Sequence, residues 1–224
     1  MIELYHKNHT NKQYTSIGLF REIKNKINPK KVLYPGSYVH ITPSLIFPDV
    51  TYVDSFKNTK KFYDSKEVKE YINENKEYSE ESQFTFYQQD YFKDIPEDLE
   101  SFDVVISQYA GFVGQAVKKY LKRGGVLVCN NSHGDASMAS LDGDYELYAI
   151  YRRRSDDKFT ISDKNLSDYL IPKKKDSLSK ELLERTMRGV AYIKSPSGYI
   201  FRKKWPFFGI FMRLFPNRFR DHWA

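Results

Sequence analysis

The side chains best suited to chemistry in this 224-residue chain follow short apolar runs. His133 stands between Asn130-Asn131-Ser132 and Asp135. An imidazole ionises near neutrality, so His133 is the candidate general base, and Asp135, two residues on, is the group to orient it. Asp54 ends the run Val50-Thr51-Tyr52-Val53, and Asp90 follows Phe84-Thr85-Phe86-Tyr87 across Gln88-Gln89. A carboxylate at a strand tip accepts hydrogen bonds from ribose hydroxyls, and a glycine such as Gly36 lets the backbone approach a ligand. That pattern suits a nucleoside. Ser107 closes a further apolar run and completes the candidate binding set with Gly36, Asp54 and Asp90. His40, His133, Asp135 and Asp142 have no zinc-type spacing, so no metal site is assigned. Gly111-Phe112-Val113-Gly114 has amides to offer a phosphate but no Walker lysine spacing.

The elements that must position these groups are legible in hydrophobic period. Lys31–Tyr34, Val50–Val53, Phe84–Tyr87, Phe102–Ser107 and Gly125–Asn130 read as strands, the fourth nearly continuously apolar as a central parallel strand should be. Leu19, Phe20, Ile23 and Ile27 give a leading helix closed by Asn28-Pro29, after a polar lead. Val68, Tyr71 and Ile72 share a face of a crossover helix, and Val113, Val117, Tyr120 and Leu121 of another that stops at Lys122-Arg123-Gly124. Asn131–Ala139 reads as a loop. Beyond it, Tyr145–Tyr151 and Phe159–Ser162 are strands, Lys173–Arg188 is helical towards its end, and Val190–Arg202 is a hairpin around Ser195–Gly198. The expected fold class is α/β, a doubly wound, mostly parallel Rossmann-like sheet with antiparallel strands at the C-terminal side. Residues 1–202 form that domain, with its core over 31–162, and residues 203–224 form a basic aromatic tail.

Composition bounds the rest. With 40% hydrophobic residues, 18 Tyr and 16 Phe, the chain can bury a substantial core. The formal charge of +7, from 36 Lys+Arg against 29 Asp+Glu, permits contact with phosphate or an anionic surface. The lone cysteine, Cys129, lies in an apolar strand, which rules out an internal disulfide and argues against a nucleophile. No apolar run approaches the roughly 20 residues of a membrane span, and a cytoplasmic protein is the expectation.

Val32-Leu33-Tyr34-Pro35-Gly36, the Asp54 strand, the Gln89-Asp90 corner, Phe102–Ser107 and Gly124–Asn130 together resemble the strand framework of class I S-adenosylmethionine-dependent methyltransferases. The resemblance covers about Val32–Asn130, with Tyr145–Ser162 completing the sheet. It implies S-adenosylmethionine as cofactor, Gly36 against its methionine end, Asp54 on the ribose and Asp90 at the adenine amino group. The first loop departs from the family in keeping one glycine of two or three and in carrying Tyr34 where an acid is common. Ser107-Gln108-Tyr109-Ala110 also lacks the Asn/Asp-Pro-Pro-aromatic run of amino- and base-methylating members.

The implied function is methyl transfer to an unknown acceptor. Two alternatives stand beside it: a catalytically silent nucleoside-binding domain, and a nucleic-acid or membrane-surface binder acting through the aromatic tail and Lys173–Lys175. The tail is also the expected site of a homodimer or interfacial contact.

Overall fold

In the computed structural model the described residues are 1–108, 110–175 and 178–206. Tyr109 and nearly all of the aromatic tail, from Phe207 on, therefore lie outside them. The N-terminus opens with α1 (Ile2–Tyr5), continued by a π-helical turn at His6–Thr10. The polar lead is thus helical, because Tyr5 buries itself against Thr42 and Tyr71. Next come α2 (Ile17–Ile27), β1 (Val32–Pro35), α3 (Pro43–Ile46), β2 (Asp49–Val53), α4 (Thr59–Tyr63), α5 (Lys66–Asn75) and β3 (Gln83–Tyr87). The second half carries β4 (Phe102–Ser107), α6 (Val113–Ala116), β5 (Leu121–Cys129), α7 (Asp135–Leu141), β6 (Tyr145–Arg153), β7 (Phe159–Ser162), α8 (Lys180–Thr186) and β8 (Gly198–Lys203).

One eight-stranded sheet has the order β3-β2-β1-β4-β5-β8-β6-β7. The first five strands are mutually parallel, with Val32 beside Val50 on one side and Val104 on the other. β8 is antiparallel to both β5 and β6, so β6 runs with the parallel set, and β7 returns antiparallel on the outer edge. Alternation with a period of two divides the core into two faces. Val32, Tyr34, Val50, Tyr52, Val104 and Ile106 pack with Leu19, Phe20 and Ile23 of α2. Leu33, Val53, Val105 and Leu127 pack on the other face with Val113 of α6 and Ala136 and Ala139 of α7.

Three expectations are corrected. The helix over Val113–Leu121 is a single turn, since Leu121 pairs with Phe102 and opens β5, and Gly124 bends within that strand at φ +80. The loop after β5 becomes helical from Asp135. Val190–Arg202 forms no hairpin: both edges of β8 are taken by β5 and β6, and Tyr192 bridges Pro172 instead. β8 also extends to Lys203, whose buried ammonium donates to Glu100 and to the carbonyls of Lys118 and Leu121. Of the tail, Trp205 is described and is 70% exposed. Among the described residues no helix is long and apolar enough to cross a membrane.

Candidate functional site

The strand order reverses direction between β1 and β4, and ligands of open α/β sheets bind beyond the carboxyl ends of the strands at such a point. A cavity of about 430 Å³ opens there. The N-terminal segment contributes Asn8, His9 and Tyr14 to it. β1 and its loop contribute Tyr34, Gly36, Ser37, Tyr38 and His40, and the tip of β4 contributes Gln108.

Gly36 turns the chain off β1 at φ +67, and its N–H donates to the Val53 carbonyl at 2.7 Å. A Cβ built there would lie 2.6 Å from that of Ala110, so the loop after β4 closes onto this glycine. Tyr38 follows with φ +47, a left-handed conformation that disfavours a side chain. Asp54 holds it in place. One carboxylate oxygen accepts the Tyr38 N–H and the other the Phe56 N–H, each at 2.7 Å. Asp54 is 8% exposed and keeps a lone pair on each oxygen beyond these bonds. That geometry fits a ribose at the β2 tip.

The buried ring of His40 is locked at both nitrogens. Nε2 meets the Thr15 carbonyl at 2.9 Å, and a carbonyl only accepts, so Nε2 carries the proton. Nδ1 therefore accepts the Tyr34 hydroxyl proton, also at 2.9 Å. Burial holds His40 well below the usual imidazole value, and the adjacent His9 adds to this. His9 stacks on His40 with ring centroids 4.1 Å apart, and burial lowers it to about 4. Thr15 is held in turn by Asp156 of the β6–β7 turn, which accepts the N–H groups of Thr15 and Ser16.

The remaining sequence-derived residues are dispersed. Asp90 is exposed beyond β3, with one oxygen accepting the Phe92 N–H at 2.9 Å. Ser107 shares a face of β4 with Val105, opposite to Val104 and Ile106, which pack with the cavity residue Tyr34, so it faces away from the cavity. There it approaches Asp135 closely enough to lower that carboxyl slightly, yet its buried hydroxyl makes no hydrogen bond of regular geometry. His133 is exposed on the turn after β5. Asp135 is 2% exposed and points inward, where both oxygens accept the Gly114 N–H, at 3.1 and 3.0 Å. The expected orientation of His133 by Asp135 is therefore not formed, and the Gly114 amide is occupied by protein. Desolvation raises Asp135 to about 6. Among the described residues no three His, Cys, Asp or Glu side chains gather as a metal site.

Sequence reasoning missed His9 and gave Tyr34 and Gln108 no role. Tyr34 was visible as an anomaly in the first loop and Gln108 as a polar group at the tip of the fourth strand, whereas His9 carried no local signal.

No protein-family profile matches the sequence, and no curated protein matches it. Solved structures with a similar course exist. A candidate S-adenosyl-L-methionine-dependent methyltransferase from Methanococcus maripaludis is 14% identical, with 86% of each chain covered and a TM-score of 0.46. A tRNA m1A methyltransferase from Aquifex aeolicus is 14% identical over 86% of this chain and 70% of its own, with a TM-score of 0.45. A candidate O-methyltransferase from Klebsiella pneumoniae is 9% identical over 65% and 76%, with a TM-score of 0.46. The strand order itself, parallel β3-β2-β1-β4-β5 followed by an antiparallel strand set before β6, gives the chain a doubly wound, mostly parallel Rossmann-like α/β fold with antiparallel strands at its C-terminal side.

Proposed function

We propose that this protein is an S-adenosylmethionine-dependent methyltransferase whose donor lies across the tips of β1 and β2. The observation that carries this is the turn at the strand-order reversal, where Gly36 leaves β1 at φ +67 and Asp54 at the β2 tip holds the loop after it. When bound, the donor supplies an electrophilic methyl group. The chain's task is then to hold an acceptor in line with it and to exclude water. Asp54 would meet the ribose hydroxyls with its remaining lone pairs, and the Gly36–Tyr38 loop would border the methionine end. Asp90, solvent-facing, would form the outer rim at the adenine. Proton removal, where the acceptor needs it, would fall to solvent, because Asp135 is engaged by the Gly114 N–H and does not orient His133.

Calorimetry with S-adenosylmethionine and S-adenosylhomocysteine tests donor binding, and S-adenosylhomocysteine release over an acceptor panel tests turnover. No binding of either at millimolar ligand would remove the proposal. The seating of Ala110 on Gly36 favours one second reading, a domain that binds the nucleoside without turning over. Binding with no product across the panel would select it.

A further inference from the structure

On a chain of net charge +7, the cavity beside Gly36 is lined, among the described residues, without Lys, Arg, Asp or Glu. Its two histidines are kept neutral by burial. Its walls are aromatic, with Tyr14 and His9 from the N-terminal segment and Tyr34 and Tyr38 from β1 and its loop. Gln108 completes the lining and is 6% exposed. Among the described residues its carboxamide has no hydrogen-bond partner, and its polar atoms are not sealed off as those of Ser107 are. An amide buried to this degree is costly unless its N–H and C=O are met. The cavity has the place and the size, within roughly 300–1,000 Å³, of a small-molecule site, and a ligand there would meet the Gln108 carboxamide.

We propose that the cavity binds an uncharged, planar aromatic ligand presenting a donor and an acceptor side by side, as a carboxamide or lactam edge does, to the carboxamide of Gln108. Tyr14 and Tyr38 are the lining aromatics exposed enough to meet a flat ring, over a floor made by Tyr34 and the stacked His9 and His40. Arg153, 5.1 Å from the Tyr14 ring centroid, is paired with Asp156, so among the described residues an anion would lose its hydration without a free cation to replace it. Within the proposed methyl transfer this ligand is the acceptor, and only that assignment rests on the proposed function.

The test uses the full chain without methyl donor, so its result is independent of donor binding. Benzamide, benzoate and cyclohexanecarboxamide are titrated while the ring resonances of His9 and His40 are followed by NMR. Benzamide should shift both with a dissociation constant of roughly 1–10 mM, as expected for so small a ligand. Benzoate should bind at least about tenfold more weakly, and the non-planar amide several-fold more weakly. Gln108→Met, similar in volume but without the paired donor and acceptor, should weaken benzamide about tenfold with the melting temperature unchanged or raised. If Gln108→Met does not fold, Gln108→Glu should produce the same loss. Benzoate binding as well as benzamide, benzamide binding unaltered by the Gln108 variant, or no shift of either histidine would overturn the proposal.

Discussion

Replacing Asp135 by asparagine should stabilise this protein at neutral pH and leave it unchanged in acid. Among the described residues no cation pairs with the buried carboxyl, and desolvation raises it from 3.8 to about 6 against the smaller opposing effects of Ser107 and the Gly114 N–H. A group that binds its proton more tightly when folded stabilises the fold below its unfolded value and loses that contribution as pH rises through the folded one. The window is therefore pH 4 to 6. About two units at 1.36 kcal/mol each make the ionised carboxylate cost roughly 3 kcal/mol above that window. Asparagine removes the charge and keeps an oxygen for Gly114, while its NH₂ can donate to the unpartnered Ser107 hydroxyl. The titratable groups that feel Asp135, Cys129, Tyr145 and Tyr91, are all pushed upward and stay neutral throughout. His9 and His40, lowered by burial, act in the opposite direction as pH falls below 6.5, so wild type and variant must be compared at each pH. Urea unfolding followed by far-ultraviolet circular dichroism should show Asp135→Asn more stable by about 1–3 kcal/mol at pH 7.5, with the difference vanishing near pH 4. A variant less stable than wild type at pH 7.5, or a difference independent of pH, would refute the reasoning.

Asp54→Ala should lower S-adenosylhomocysteine affinity by about tenfold or more, since each charge-assisted hydrogen bond is worth roughly 1.5–3 kcal/mol; calorimetry checks it, and unchanged affinity would remove Asp54 from the donor site. Gly36→Ala should cost about 2–4 kcal/mol, from a left-handed backbone and a Cβ pressed on Ala110, read as a lowered midpoint in urea. His133→Ala should reduce turnover by no more than about threefold, because no neighbour orients its exposed ring; a loss of 10²–10⁴ would make it the general base.

What the sequence determined by itself was the half of the fold governed by local period. Val32–Pro35, Asp49–Val53 and Phe102–Ser107 are strands because apolar and β-branched runs of that length bury nowhere better than in a parallel sheet, and their tips place Gly36, Asp54 and Ser107 along one edge. What it left open was every contact between distant segments. Neighbours in a strand point to opposite faces, but which face holds the cavity was decided by His9, itself stacked on Tyr5, packing the N-terminal segment over His40, which is bonded to Tyr34. That choice brought Gln108 into the site and left Ser107 behind the sheet. Asp135 and His133 stand two residues apart, yet a glycine at φ +89 between them and the amide of Gly114 turned the carboxylate into the core. The hairpin suggested for Val190–Arg202 failed for a similar reason: β5 and β6 take both edges of β8, and hydrogen bonds given to distant strands cannot also be made to the neighbouring segment.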